Sequence, residues 1–137
     1  QTNMVNAMKS QIKDTGMVRE LANFSVKPYS AYLFKQELIK QGVEEQLATA
    51  YATKIVDKIG NGTIQPNLIP EKNGWYMDVG GIRTQVGTSD KLSQDVNYAM
   101  RLYPAQTALS MIYNQIKDKG LEELQALYGD GITNLFK

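Results

Sequence analysis

The sequence of 137 residues predicts one helix-rich α+β domain, and two observations carry this prediction. Apolar residues recur at helical spacing on both sides of residues 75–86, which instead contain aromatic and β-branched residues around a Gly-Gly pair. The length is typical of a single domain, and no apolar run approaches the roughly 18 to 20 residues needed to span a bilayer. We therefore expect one soluble domain over residues 1–137, without a transmembrane segment.

Amphipathic stretches fill the chain before the hairpin. A short helix is predicted over residues 1–14, and a further apolar stripe covers residues 17–23. Two longer helices are predicted over residues 29–41 and 43–59, where apolar residues recur every three to four positions. Because only a Gln-Gly dipeptide separates their stripes, these two helices are expected to fold back on each other as a helical hairpin.

The strongest β signal lies at residues 75–86. Gly80 and Gly81 can supply the positive φ angles of a two-residue hairpin turn. The residue pairs expected on the core face are Val79 with Ile82, Met77 with Thr84, and Trp75 with Val86. A third strand is weakly indicated at residues 63–69, where internal and flanking prolines would confine the chain to a sheet edge or a loop.

Three further helices are predicted after the hairpin. They cover residues 90–102, the segment from Pro104 to Gly120, and residues 121–128. Thr88, Ser89 and Asp90 are N-cap residue types and would start the first of these helices. The sequence Gly129-Asp130-Gly131 is expected to end the last one, which leaves residues 132–137 to return as a strand or to fray.

The absence of histidine and cysteine excludes most catalytic and metal-binding chemistries. Ser-His-Asp, Cys-His and HExxH sites all need an imidazole or a thiolate. The sequence also has no P-loop and no aspartate-rich calcium loop, so we predict no cofactor, no metal and no catalytic residue. The net charge of +1 disfavours nucleic acid as a partner, because binding to phosphates needs clustered Lys and Arg residues.

The outward face of the predicted hairpin is the best candidate for a binding surface, since it combines an aromatic ring, an arginine and polar groups. The side chains on that face are Tyr76, Asp78, Arg83 and Gln85. Four other tyrosines fall at the margins of the predicted core: Tyr29, Tyr32, Tyr98 and Tyr113. With most catalytic chemistry excluded, this pattern predicts a non-catalytic module that binds another protein or assembles with copies of itself.

Two other functions are left open by the residues. A carboxylate-dependent enzyme that hydrolyses glycans needs two acids with separated pKa values, and several acids lie in or near predicted strands, loops and helix starts. The candidate acids are Glu71, Asp78, Asp90, Asp95 and Asp130. A nucleic-acid-binding domain would instead use the helical hairpin. Its candidate phosphate contacts are Lys35, Lys40, Lys54 and Lys58.

Overall fold

The structure, a computed structural model, describes residues 17–137, which form six α-helices and one three-stranded antiparallel sheet. The helices are α1 (Met17–Asn23), α2 (Lys27–Lys40), α3 (Glu45–Gly60), α4 (Gln94–Leu102), α5 (Pro104–Lys119) and α6 (Leu121–Phe136). The strands are β1 (Pro66–Glu71), β2 (Gly74–Val79) and β3 (Ile82–Gly87). This confirms the predicted α+β class, with a helical hairpin, a central sheet and C-terminal helices. The helix predicted over residues 1–14 lies outside the described residues, and none of the six helices is long and apolar enough to cross a bilayer.

α2 and α3 pack side by side as the predicted helical hairpin. α2 begins at Lys27, before the predicted start, because Pro28 lies in the first turn, where its missing N–H costs no helical hydrogen bond. The turn between the helices uses Gly42 at φ +97°, a conformation that favours glycine. α3 then starts at Glu45, and the side chain of Glu44 accepts hydrogen bonds from two of its first backbone amides.

The sheet has the order β1-β2-β3, so β2 is its central strand. β1 carries two prolines and lies at an edge, as the sequence predicts. The Gly-Gly pair forms the two-residue turn between β2 and β3, with φ angles of +60° and +95°. The predicted pairs Val79–Ile82 and Met77–Thr84 are confirmed.

The predicted pairing of Trp75 with Val86 is wrong, because the register shifts next to Trp75. Trp75 lies opposite Gly87 instead. Val86 is thus an extra residue in β3, and its carbonyl accepts a hydrogen bond from the Ser93 amide at 3.0 Å. The bulge directs the end of β3 toward the following loop, in which Leu92 bridges to Gly87.

Helix α5 lies at the centre of the packing between the helices and one face of the sheet. It contacts all five other helices and the two outer strands. Its buried apolar stripe consists of Ala108, Leu109, Ile112 and Ile116. The core-facing sheet residues Met77, Val79 and Ile82 are each 1% exposed. The hydrophobic core therefore lies between α5 and the sheet, and the other helices close around it.

The predicted start of the helix after the sheet is wrong. Thr88 and Lys91 exchange two backbone hydrogen bonds, at 2.9 and 3.3 Å, and so close a tight turn. The three predicted N-cap residues lie within this turn and not at the start of a helix. Asp90 lies inside the turn. α4 begins only after Ser93, whose Oγ accepts a hydrogen bond from the Val96 amide at 3.4 Å and so provides the cap.

α6 continues through Gly129-Asp130-Gly131, which the sequence predicts as its end. Helical dihedral angles are lost at Tyr128 (φ −131°, ψ 18°), where the helix is kinked. Beyond the kink, Ile132, Leu135 and Phe136 are buried. Burial of such side chains contributes about 1.5–3 kcal/mol each, which outweighs the roughly 1 kcal/mol that each glycine costs a helix. The predicted strand or frayed C-terminus is therefore wrong.

Gly131 lies where α6 contacts the hairpin turn. A Cβ atom at this position would lie 3.0 Å from the carbonyl oxygen of Gly80 and 3.5 Å from the carbonyl carbon of Gly81. Both are backbone atoms of a tight turn, so they have little freedom to move away. The glycine therefore allows the helix to pack closely against the sheet.

Replacing Gly131 by alanine is expected to destabilise the protein, whereas the same change at Gly129 is expected to stabilise it. A Cβ at Gly129 would meet no atom within 4 Å, so G129A gains the helix propensity of alanine, about 0.5–1 kcal/mol. G131A gains the same propensity but must displace the hairpin turn, with a net loss of about 1 kcal/mol. Urea unfolding measures both variants, and equal stabilities would show that the contact at Gly131 is not tight.

Tyr113 of α5 belongs to an aromatic cluster in the core. Its ring centroid lies 5.5 Å from that of Phe24 and 5.6 Å from that of Phe34. Burial raises the pKa of the Tyr113 hydroxyl above its ordinary value, and the negative charges of Glu37 and of ionised Tyr29 raise this pKa further. The phenolate form of Tyr113 is therefore disfavoured in the folded protein.

The raised pKa of Tyr113 predicts that folding stability decreases at alkaline pH. Above about pH 10 an unfolded tyrosine loses its proton, whereas Tyr113 in the folded protein retains it. The unfolded state then binds fewer protons, so the free energy of unfolding decreases as the pH rises through this range. Y113F removes the ionisable group, and its stability should fall less steeply than that of the wild type between about pH 9 and 11. Parallel pH curves from urea unfolding would contradict this expectation.

Candidate binding surface

The four residues predicted for a binding surface share the face of the sheet that points away from the core. Tyr76 lies opposite Gln85 and Asp78 lies opposite Arg83, in neighbouring cross-strand pairs. β1 extends this face, because directly paired residues of adjacent strands point to the same side. We call the following seven residues the outer sheet face: Asn67, Ile69, Glu71, Tyr76, Asp78, Arg83 and Gln85.

Asp78 connects the hairpin turn to the outer sheet face. Its Oδ1 accepts a hydrogen bond from the Gly81 amide at 3.1 Å, and its Oδ2 accepts one from Arg83 Nε at 3.1 Å. The Asp78 side chain is only 19% exposed. Both carboxylate oxygens are therefore used within the hairpin, where they hold the turn and orient the arginine.

Arg83 lies between two carboxylates. Besides its bond to Asp78, its Nη1 donates to Glu71 Oε1 at 2.9 Å, so this side chain joins all three strands. The hydrogen bond with Asp78, followed by the one with Glu71, raises the pKa of the guanidinium above its ordinary value. The outer sheet face thus carries one positive and two negative charges, and its arginine is held in a fixed orientation.

Tyr76 and Ile69 form the centre of the outer sheet face. They are a cross-strand pair on β2 and β1, and both are half-buried. Next to them, Gln85 Nε2 donates to the carbonyl oxygens of Gly87 at 3.0 Å and of Asn73 at 3.4 Å. An aromatic and an aliphatic side chain are therefore surrounded by polar groups that already form hydrogen bonds within the sheet.

The free edges of the sheet are protected against pairing with another strand. On β3, the carbonyl of Arg83 accepts hydrogen bonds from Tyr128 Oη at 3.1 Å and from Gln115 Nε2 at 3.4 Å. On β1, Pro66 and Pro70 have no N–H to donate to a neighbouring strand. The described sheet is therefore poorly suited to extension by a strand from another chain.

The structure brings two of the candidate acids together, Glu71 and Asp78, and places Arg83 between them. Asp90 lies in the loop after β3, where its Oδ1 accepts a hydrogen bond from Ser89 Oγ at 3.3 Å. The remaining candidate acids lie on helices, Asp95 in the first turn of α4 and Asp130 within α6. Between residues 17 and 137, no group of three or more acidic, histidine or cysteine side chains is placed to hold a metal ion.

Two of the four candidate phosphate contacts have partners within the chain. Lys35 Nζ lies 3.4 Å from the carboxylate of Glu45, and Lys58 Nζ donates to the carbonyl oxygen of Asn134 at 2.7 Å. The other two lysines are exposed, one on α2 and one on α3. The positive charge of the helical hairpin is therefore partly offset within the fold.

Sequence reasoning missed the contribution of β1 to the outer sheet face, namely Asn67, Ile69 and Glu71. The strand signal of β1 is weak because its prolines interrupt it. Ile69 is a residue type that favours strands, but Asn67, Leu68 and Ile69 do not alternate between polar and apolar, so the local pattern does not indicate which of them face outward. The contact of Glu71 with Arg83 has no local signal, because it depends on the pairing of β1 with β2.

The chain matches no family model, and no curated protein or solved structure is significantly similar to it. No relative therefore provides a ligand or an activity by analogy.

Asp78→Ala is expected to destabilise the protein by about 1 kcal/mol, because it removes the acceptor for the turn amide of Gly81. D78N keeps a side-chain oxygen for this amide and loses the negative charge beside Arg83, so a smaller effect is expected. E71A is the matched control, since it removes the other carboxylate that contacts Arg83 and leaves the turn intact. Urea unfolding that finds E71A less stable than D78A would contradict the turn-holding role of Asp78.

Proposed function

We propose that this chain is a non-catalytic protein-interaction module that contacts its partner through the outer sheet face. The observation that carries the proposal is the pair of Tyr76 and Ile69 at the centre of that face, inside a ring of polar side chains that bond within the sheet. Protein interfaces commonly combine such an aromatic centre with a polar rim, and the central residues supply most of the binding energy.

Tyr76 is suited to be the main anchor. A tyrosine covers a large area at a small entropy cost, because only two side-chain torsions have to be fixed on binding. Tyr76 is half-buried on the central strand, with paired residues on both sides, so its position is already restrained. A restrained side chain loses less freedom when a partner covers it, which leaves more of the contact energy for affinity.

Arg83 supports binding through its fixed orientation. Its guanidinium is held by Asp78 and Glu71, so little rotamer freedom is left to lose at an interface. The same two carboxylates offset its positive charge, which weakens any attraction to phosphate groups. This arrangement supports a protein partner over a nucleic acid.

Tyr76→Ala is expected to weaken binding of the natural partner by about 2 kcal/mol, or roughly 30-fold in Kd, as for a central aromatic anchor. The matched control is Y98A, which removes an exposed tyrosine on α4, outside the outer sheet face. Immobilised wild type, Y76A and Y98A are exposed to an extract of the source cells, and the Kd of each retained protein is then measured by calorimetry. A partner that binds Y76A as tightly as the wild type would contradict the proposal.

Sedimentation of the purified chain distinguishes a foreign partner from a second copy. Self-association through the outer sheet face predicts a mass that rises with concentration in the wild type and in Y98A, and that stays at the monomer value in Y76A. A monomeric wild type directs the search to a foreign protein. Self-association that Y76A leaves unchanged would place the contact elsewhere and contradict the proposal.

Two further measurements address the alternative functions. A glycan hydrolase predicts release of sugar ends from a polysaccharide that D78N abolishes although the variant remains folded, since one of its acids would be lost. A nucleic-acid-binding domain predicts an affinity for oligonucleotides that falls steeply with salt and depends on the exposed Lys40 and Lys54. Either result would overturn the proposal of a non-catalytic protein-binding module.

A further inference from the structure

A pocket of about 470 Å³ opens between α1, β3, the start of α4 and α5. Much of its wall is apolar and is formed by Leu21, Val86, Val96 and Met111. Glu20 is the charged residue among the described residues that line it. The volume lies within the range of about 300–1,000 Å³ that is usual for pockets that bind small organic ligands.

Two neutral donors from α5 orient the Glu20 carboxylate. Its Oε2 accepts hydrogen bonds from Ser110 Oγ at 3.1 Å and from Asn114 Nδ2 at 3.3 Å. Ser110 is only 5% exposed, so this contact is anchored in the interior. None of the salt bridges between side chains described from residue 20 onward involves Glu20. The two donors therefore fix the position of the carboxylate but do not neutralise its charge.

Other polar side chains at the pocket are engaged within the fold. Thr107 Oγ1 donates to the Tyr103 carbonyl at 2.6 Å, and Ser93 Oγ is the cap of α4. Gln85 Nε2 donates to backbone carbonyls next to β3. Neutral oxygens such as Gln85 Oε1 can still accept at the pocket, but among the described lining residues Glu20 Oε1 is the charged acceptor with no hydrogen bond from the side chains described from residue 20 onward.

We propose that the pocket binds a primary alkylammonium group, with the ammonium at Glu20 and a short apolar chain along the apolar wall. A guanidinium fits less well, because its two parallel hydrogen bonds need both carboxylate oxygens, and Glu20 Oε2 already accepts two. An ammonium is a point charge and can bind through Oε1 alone. Glu20 is exposed at the edge of the pocket, so an ammonium can reach its carboxylate from solvent while the alkyl chain lies along the apolar wall.

A titration with n-hexylammonium at pH 7, followed by NMR of the ¹⁵N-labelled wild type, tests the site without any mutation. Saturable shifts are expected for the backbone amides of Val86, Gly87 and Met111, which line the pocket. n-Hexanol has the same chain without the charge and should bind about threefold to fivefold more weakly, and hexanoate, which carries the opposite charge, should bind most weakly of the three. Equal affinities for hexylammonium and hexanol, or shifts that never saturate, would overturn the proposal.

A lysine side chain of another protein and a free organic amine present the same ammonium chemistry, so a further probe separates these sources. Nα-acetyl-lysine N-methylamide carries the lysine side chain between two peptide-like groups. Tighter binding of this probe than of hexylammonium assigns the pocket to a lysine side chain. Weaker binding assigns it to a free amine, and both outcomes support the ammonium site.

E20Q keeps the shape of the side chain but removes its charge, so hexylammonium affinity is expected to fall about threefold to fivefold, as for an exposed ion pair. E122Q is the matched control, since it changes an exposed glutamate in the first turn of α6 and should bind as the wild type does. Thermal unfolding reports whether E20Q retains the fold. If E20Q does not fold, the comparison of hexylammonium, hexanol and hexanoate on the wild type tests the ammonium site instead. Unchanged hexylammonium affinity in a folded E20Q would overturn the proposal.

Discussion

The burial of α5 is the constraint on which the rest of the structure depends. This helix contacts every other described helix and both outer strands. Ile112 and Ile116 anchor its apolar stripe in the core, while Ser110 faces Glu20 on α1. Gln115 Nε2 donates to Thr84 Oγ1 at 2.7 Å and joins the same helix to β3. Because a closely packed helix can shift little, α5 positions both the sheet and the pocket beside it.

The way the sheet is held determines which of its surfaces a partner can reach. Met77 and Ile82 bury the inner face against the helices, and Gly131 lets α6 contact the hairpin turn closely. Prolines occupy one edge strand, and side chains of α5 and α6 bond to the carbonyl of Arg83 on the other. Among the residues that the structure describes, this arrangement leaves the outer sheet face uncovered, and it is the surface of the proposed interface.

Charge pairing gives the outer sheet face and the pocket different binding properties. On the outer sheet face, Arg83 is matched by Asp78 and Glu71, so the proposed interface is expected to depend mainly on shape and on the contact made by Tyr76. In the pocket, two neutral donors orient Glu20, and none of the salt bridges between side chains described from residue 20 onward involves this carboxylate. One chain thus carries one surface suited to apolar and polar contact and one pocket suited to a charged ligand.

The sequence by itself determined the fold class, the helical hairpin and the Gly-Gly turn, because helical periodicity and turn chemistry are encoded within a dozen neighbouring residues. It also determined that Tyr76, Asp78, Arg83 and Gln85 share one face, since side chains alternate along paired strands. Only the tertiary structure decided that α6 continues to Phe136 and that Glu71 joins the outer sheet face. Both outcomes depend on segments far apart in the chain. The end of α6 is stabilised by burial against other elements, and Glu71 reaches the arginine only because β1 pairs with β2.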